Sequence, residues 1–361
     1  MREERRRKAE GGNRKPGARR QESEARSQKT VFSIFSAFFF SLFPFRQLST
    51  VHCPLTTVLL LLLCSCSSAP PPPVLPVALA RANHAADSAR KLSSNENWSA
   101  AVREWQNAVD DYRLLNDRAN EAVALHNLAQ ANRALGDLDR AHSLLEHAAE
   151  LNQQLDRNDE WWRNQIALLQ VESLAKQTTS LEARFNKLTA SPPPDAQPQL
   201  QGLFYNELGQ WQQHQGDFAK ADETFRRAEQ AMTKAGDRSG AAVVLANRAR
   251  LDEAQHKLPD ALEKWGEARK RFETLADPPG IAASLTGEGR ALLAAGQNLP
   301  AAETHLRRAA ENFRLLKMND DRAAALRSLV ECLTAQKKTA EADEVRKTLD
   351  TLRAGSTPVQ K

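Results

Sequence analysis

From Ala101 onward the chain repeats itself every 40 residues, and no other property constrains its fold as strongly. Steps of 40 from Ala101 land on Ala141, Leu181, Ala221, Ala261 and Ala301. Four places on stand Trp105, Leu145, Phe185, Phe225 and Trp265, and then, after a slip of one, Leu306 beside His305. Seven places on stand Ala108, Ala148, Leu188, Ala228 and Ala268. A small residue, a bulky one four later and a small one three later again share one helix face. The small residues let a neighbouring helix approach and the large one fills the gap. A preceding helix shows its own face in Leu125, Leu128 and Ala129, in Tyr205, Leu208 and Gly209, and in Leu245 and Ala249. Between the two, Gly136, Gly216 and Gly296 suit the left-handed residue that ends a helix. Asp137 and Asp217 after them suit the cap of the next helix. Helix, Gly-Asp turn, helix is the unit, and Asp117-Arg118, Asp237-Arg238 and Asp277 mark the return, with Asp156-Arg157 one place early.

With Leu125 to Ala148 and Tyr205 to Ala228 as its best copies, the chain resembles tetratricopeptide repeat proteins of the longer, 40-residue kind, over residues 82–352. The resemblance implies an all-α fold, a right-handed α-solenoid of stacked helical hairpins (a TPR-like superhelix). The unit around Leu181 has lost its Ala and Gly signals, and the stretch from Arg322 to Leu352 is degenerate, as a capping repeat is. Ser191-Pro-Pro-Pro-Asp inserts a loop. The expected organisation is therefore a first block over 81–190, a Pro-rich loop at 191–200, a second block with its C-terminal cap over 201–352, and a disordered tail at 353–361. The loop is expected to let the two blocks bend against each other.

The N-terminal part reads differently. The whole chain has a formal charge of +5, but residues 1–30 carry 11 Lys/Arg and 5 Glu, and residues 31–66 add only Arg46. Everything after Cys66 sums to 38 − 40 = −2, so the basicity belongs to the leader and no nucleic-acid partner is expected for the array. Val31–Phe45 and Leu55–Leu63 are both shorter than the ~20 residues of a spanning helix. The second has the proportions of a signal-peptide core and runs into Leu63-Cys64-Ser65-Cys66. That stretch resembles the lipobox of bacterial lipoprotein signal peptides, with Cys64 a less usual filler where the family prefers a small residue. The resemblance implies acylation of Cys66, a membrane anchor, and, from Ser67 after it, the periplasmic face of the outer membrane. Segment 45–66 is then the signal peptide and 67–80 a Pro-rich spacer. Segment 1–44 is a basic, disordered leader, either an over-long gene start or a cytoplasmic extension that leaves the signal uncleaved as an anchor. Of the four cysteines only Cys66 and Cys332 survive cleavage, which leaves no structural disulfide.

No P-loop, dinucleotide turn, Gly-x-Ser-x-Gly elbow or, after the leader, Cys-x-x-Cys is present. His142 and His147 are five apart and diverge by ~140° on a helix, so no metal site is expected. No catalytic residue and no cofactor is assigned. Trp105 and Trp265 fall on the core face, whereas Trp161-Trp162 opens the most divergent unit and is a candidate exposed anchor. In tetratricopeptide proteins the first helix of each unit lines the ligand groove. Carried onto this chain, its central column reads Gln130, Gln170, Gln210, Arg250 and Arg290. His126, Asn206 and Ala246 lie one turn before it, and Arg133, Gln213 and Glu253 one turn after. An amide-rich half able to bond an extended peptide is followed by a basic half in which two Arg clamp a carboxylate. The same columns also suit plain solvation of a helix. The function these residues imply is a lipid-anchored scaffold for a protein or peptide partner, not an enzyme. The alternative is a docking frame or accessory factor of an envelope enzyme or glycan-processing system.

Overall fold

A computed structural model describes residues 76–356, and these form fourteen helices with no strand among them. The leader, the signal segment with Cys66, most of the spacer and residues 357–361 lie outside the described residues. In chain order the helices are α1 Val77–Ser94, α2 Trp98–Leu114, α3 Arg118–Ala134, α4 Leu138–Gln154, α5 Asn158–Leu174, α6 Thr178–Thr189 and α7 Pro198–His214. They continue as α8 Phe218–Ala235, α9 Arg238–Ala254, α10 Leu258–Leu275, α11 Pro278–Ala294, α12 Leu299–Leu315, α13 Asn319–Ala335 and α14 Thr339–Ser356. Because α1 starts directly after Pro76, the array begins inside the range read as spacer. None of these helices is long and apolar enough to cross a membrane.

The rhythm is tighter than the sequence period. A left-handed residue recurs at 96, 116, 136, 156 and 176, again at 216, 236, 256, 276 and 296, and finally at 317 and 337. Every helix of about 17 residues is thus followed by one turn geometry, on the hairpin side and the return side alike. Glycine fills it at 136, 216, 236 and 296, but Asn116, Asp156, Lys176, His256 and Ala276 hold the same positive φ elsewhere. Each turn is closed by a bond from the backbone N–H after the left-handed residue to the carbonyl five back, such as Asp117 N–H to Tyr112 O at 2.9 Å. Asp156 stands one place early because it occupies the left-handed position, while Arg157 takes the cap position. The side chains of Asn97, Asp117, Asp137, Asp237, Asp277 and Asn298 each accept from a backbone N–H three residues on. A cap of this kind stabilises by ~1 kcal/mol. Asp217 departs from the expectation: its carboxylate is taken by Lys220 Nζ at 2.8 Å and it makes no cap. The slip at Leu306 has a cause as well. Gly296 and Asn298 are both left-handed, so the turn is one residue longer, and Ala302 replaces Ala301 in the core.

The core sits where small residues meet large ones. Trp105, Trp265, Phe185 and Phe225 are at most 2 % exposed. Packing joins each helix to its sequence neighbours, and from α5 to α13 it also joins each first helix to the next first helix. The exception is α6, which has only 12 residues and leans mainly on α5, while α7 packs directly on α5 as well as on α8. The Pro-rich loop is tied down: Gln201 Nε2 donates to Pro193 O at 3.0 Å and Gln197 Nε2 to Asp159 Oδ2 at 2.7 Å. One apolar cluster runs from Trp162 and Ile166 through Leu181 and Phe185 to Phe204, so the core is continuous past the loop.

Candidate functional site

The first helices α3, α5, α7, α9 and α11 carry the columns read from the sequence, and side chains from successive units bond to one another there. Arg133 Nη1 donates to Gln170 Oε1 at 2.9 Å, and Gln170 Nε2 to Glu207 Oε1 at 3.1 Å. This chain crosses three units. Burial raises the Glu207 pKa above the usual carboxylate value, against the hydrogen bonds of Gln170 and Asn206 and the charge of Arg133. Burial likewise lowers the Arg133 pKa, with Glu207 opposing.

A second network runs through the later units. Asn247 Nδ2 donates to Asn206 Oδ1 at 2.7 Å, and Arg250 Nη1 to Asn247 Oδ1 at 2.9 Å. The Arg250 guanidinium stands over the Trp265 ring, 6.0 Å from its centroid. Arg290 and the Trp265 indole N–H both bond the Glu253 carboxylate, one to each oxygen. Two expectations change. Asn206 is buried rather than presented at the surface, and the pair of clamping arginines is reduced to one. Arg290 already has its carboxylate in Glu253, whereas Arg250 is bonded only to an amide. Burial and the neighbouring Arg290 lower the Arg250 pKa.

Gln130 and Gln210 stay half-buried with weak partners, His126 Nε2 at 3.5 Å and the Asn206 carbonyl at 3.4 Å. Gln213 is half-buried one turn further on and joins neither network. His126 is pushed down to about 4 by burial, with the charges of Arg163 and Arg133 adding to it. Its folded pKa lies below the unfolded ~6.5, so the unfolded chain takes the proton first. The stability that neutral His126 contributes is present above about pH 6.5 and is lost as pH falls toward 4. A loss of ~1–3 kcal/mol over that window is expected in urea titrations, and His126→Gln should flatten that part of the profile.

Sequence reading did not single out Glu207 and Asn247. They belong to the adjacent column at the same step, Asn127, Ala167, Glu207, Asn247 and Gly287, which the period makes readable. The cavity beside α6 was not foreseen either. Because α6 is short, a space of about 430 Å³ opens between α5, α6 and α7, with Leu181, Phe185 and Trp211 among its walls and Glu207 and Gln210 toward the first-helix face. Phe185 and Trp211 stack at 5.1 Å. Trp161-Trp162 is mostly interior: Trp162 is buried against Phe204, and Trp161 packs edge-on to it at 5.1 Å. His142 Nε2 lies 3.1 Å from Glu172 Oε1, in a cluster centred on Arg184.

No family model and no curated protein sequence matches the chain. Solved structures do. Aspartyl phosphate phosphatase F from Bacillus subtilis superposes with a TM-score of 0.63 at 12 % identity, over 76 % of this chain and 71 % of that one. The apo form of RapI gives 0.61 at 12 % identity, over 76 % and 97 %. The apo quorum sensor NprR from B. thuringiensis gives 0.57 at 12 % identity, over 76 % and 77 %. The fold is a tetratricopeptide-like solenoid. At this identity the likeness concerns the path of the backbone.

Proposed function

We propose that the array is a scaffold that holds a protein or peptide segment along the concave groove formed by its first helices. The observation that carries this reading is hydrogen-bonding capacity left over in one line. Gln130, Gln210 and Arg250 hydrogen-bond only weakly or to an amide, and Gln210 lines a cavity walled by Trp211 and Phe185. Amides can bond an extended main chain, Arg250 can bond an acidic group, and the cavity can take an apolar side chain. A Rap protein of similar backbone, with a TM-score of 0.53 and 14 % identity over 74 % of this chain and 77 % of that one, was crystallised with Competence and Sporulation Factor. That precedent supports ligand binding by such an array. Prior ordering of the stacked hairpins lowers the entropic cost of holding a long segment.

The scaffold is anchored through acylated Cys66 in the bacterial cell envelope, at the periplasmic face of the outer membrane. The lipobox-like Leu63-Cys64-Ser65-Cys66 and the Pro-rich segment after it support this. Two measurements test the two halves of the proposal. Gln210→Ala/Arg250→Ala, with circular dichroism unchanged, should lose partner capture by ~10-fold or more. Equal capture removes the groove from consideration. Intact mass of the membrane-extracted protein should correspond to a chain starting at acylated Cys66, and a mass that includes Met1 rejects the anchor.

A further inference from the structure

Successive hairpins meet through pairs of buried residues twelve apart, one on a second helix and one on the next first helix. Tyr112 and Ala124, Met232 and Val244, and Phe313 and Ala325 each share an apolar cluster. Phe272 is paired in the same way with Ser284, whose hydroxyl donates to Gly280 O at 2.9 Å. Between α4 and α5 the same two positions are Asn152 and Asn164, 2 % and 1 % exposed. Asn152 Nδ2 donates to Asn164 Oδ1 at 3.1 Å. That one bond leaves Asn152 Oδ1 and Asn164 Nδ2 buried without a partner. Exchanging O and N in both amides changes which residue offers the donor, yet one donor and one acceptor still remain. Polar groups left this way cost stability, and those four junctions avoid the cost with apolar or satisfied residues.

Both asparagines line a pocket of about 110 Å³ between α3 and α5, with His126, Asn127, Glu160 and Arg163 around it. One water needs only ~15 Å³, so the space is large enough for a small group the size of an amide. His126 and Arg163 also line the next hollow along the first-helix face, which continues to Gln130 and Gln170.

We propose that Asn152 and Asn164 form a receptor for an amide group, whose N–H donates to the free asparagine oxygen while its C=O accepts from the free asparagine NH2. The inference rests on the reading of the first-helix face as a peptide-binding surface. The amide comes from the bound segment, as the carboxamide of a Gln or Asn side chain or as the main chain of an extended residue.

The test needs no knowledge of the partner. Side-chain NH2 signals of 15N-labelled full-length protein are followed during titration with propionamide, with N-acetylalanine N′-methylamide, and with butanone, which has the shape of propionamide but no donor. Saturable shifts at Asn152 and Asn164 are expected with an amide and not with butanone, and the better amide identifies side chain or main chain as the source. Asn152→Met/Asn164→Val, which copies the α8–α9 pair, should melt at a higher temperature and lose the shifts that the amide produces at the NH2 group of Asn127, which lines the same pocket. Asn164→Asp keeps the shape and removes the donor, and should also lose them. Shifts absent from the wild type, equal for butanone, or retained in Asn164→Asp overturn the proposal. Should amide shifts persist while Gln210→Ala/Arg250→Ala captures partner normally, the asparagine receptor stands and the groove reading falls.

Discussion

Arg184→Ala is expected to lower stability by ~3 kcal/mol and to split a single urea transition into two. The short helix α6 buries only Leu181, Phe185 and Leu188, too little apolar surface to hold a helix firmly. Arg184 supplies what is missing. Its Nε donates to Glu172 Oε1 at 3.0 Å, Nη1 to Gln165 Oε1 at 2.8 Å and Nη2 to Glu146 Oε1 at 2.6 Å, which ties α6 to α4 and α5. Glu172 is fully buried, so removing the arginine strands a carboxylate that only His142 still contacts. The loss therefore belongs to the class of a broken buried pair, well above the ~0–1 kcal/mol of an exposed one. Glu172→Leu/Arg184→Leu should recover most of it, because no buried charge remains. A loss in Arg184→Ala below ~1 kcal/mol would mean that solvent reaches the cluster.

Gly287→Ala should cost ~2 kcal/mol even though alanine is the better helix former by ~1 kcal/mol. A Cβ at position 287 would lie 2.2 Å from Cε2 and 2.4 Å from Cδ2 of Trp265. The ring is 1 % exposed and its N–H is bonded to Glu253, so it has nowhere to retreat without releasing the carboxylate that also holds Arg290. The substitution thus reaches the groove through one contact. Gly266→Ala is the matched control: the nearest atom there is Glu288 Oε1 at 3.5 Å, and a gain of up to ~1 kcal/mol is expected. Equal melting temperatures for the two variants would contradict the close approach of α10 and α11.

Helices, turns and core were legible because the forty-residue period repeats the small and large positions that helix packing requires. Trp105 and Trp265 could be assigned to the interior from their frame alone. Glycine advertised only some of the turns. Lys176, His256 and Ala276 adopt the same left-handed conformation, and their identity gives no hint of it. The site was harder to read, since polar residues on a helix are the ordinary interface with water. That Arg290 reaches Glu253 thirty-seven residues away, or that Asn152 and Asn164 turn inward while Gln130 does not, depends on how one hairpin leans on the next. Period fixes which residues share a column but not how deep the column lies.

The uniform turn that closes the helices on either side of α6 within their own last residues has a kinetic consequence. Each turn completes itself without waiting for distant chain, and packing joins only near neighbours in sequence. Folding of such a chain is a zipper, fast and able to start at whichever hairpin nucleates first. Growth from either side is expected to be slowest at α6, where the rhythm breaks and a charged cluster joins the short helix to α4 and α5.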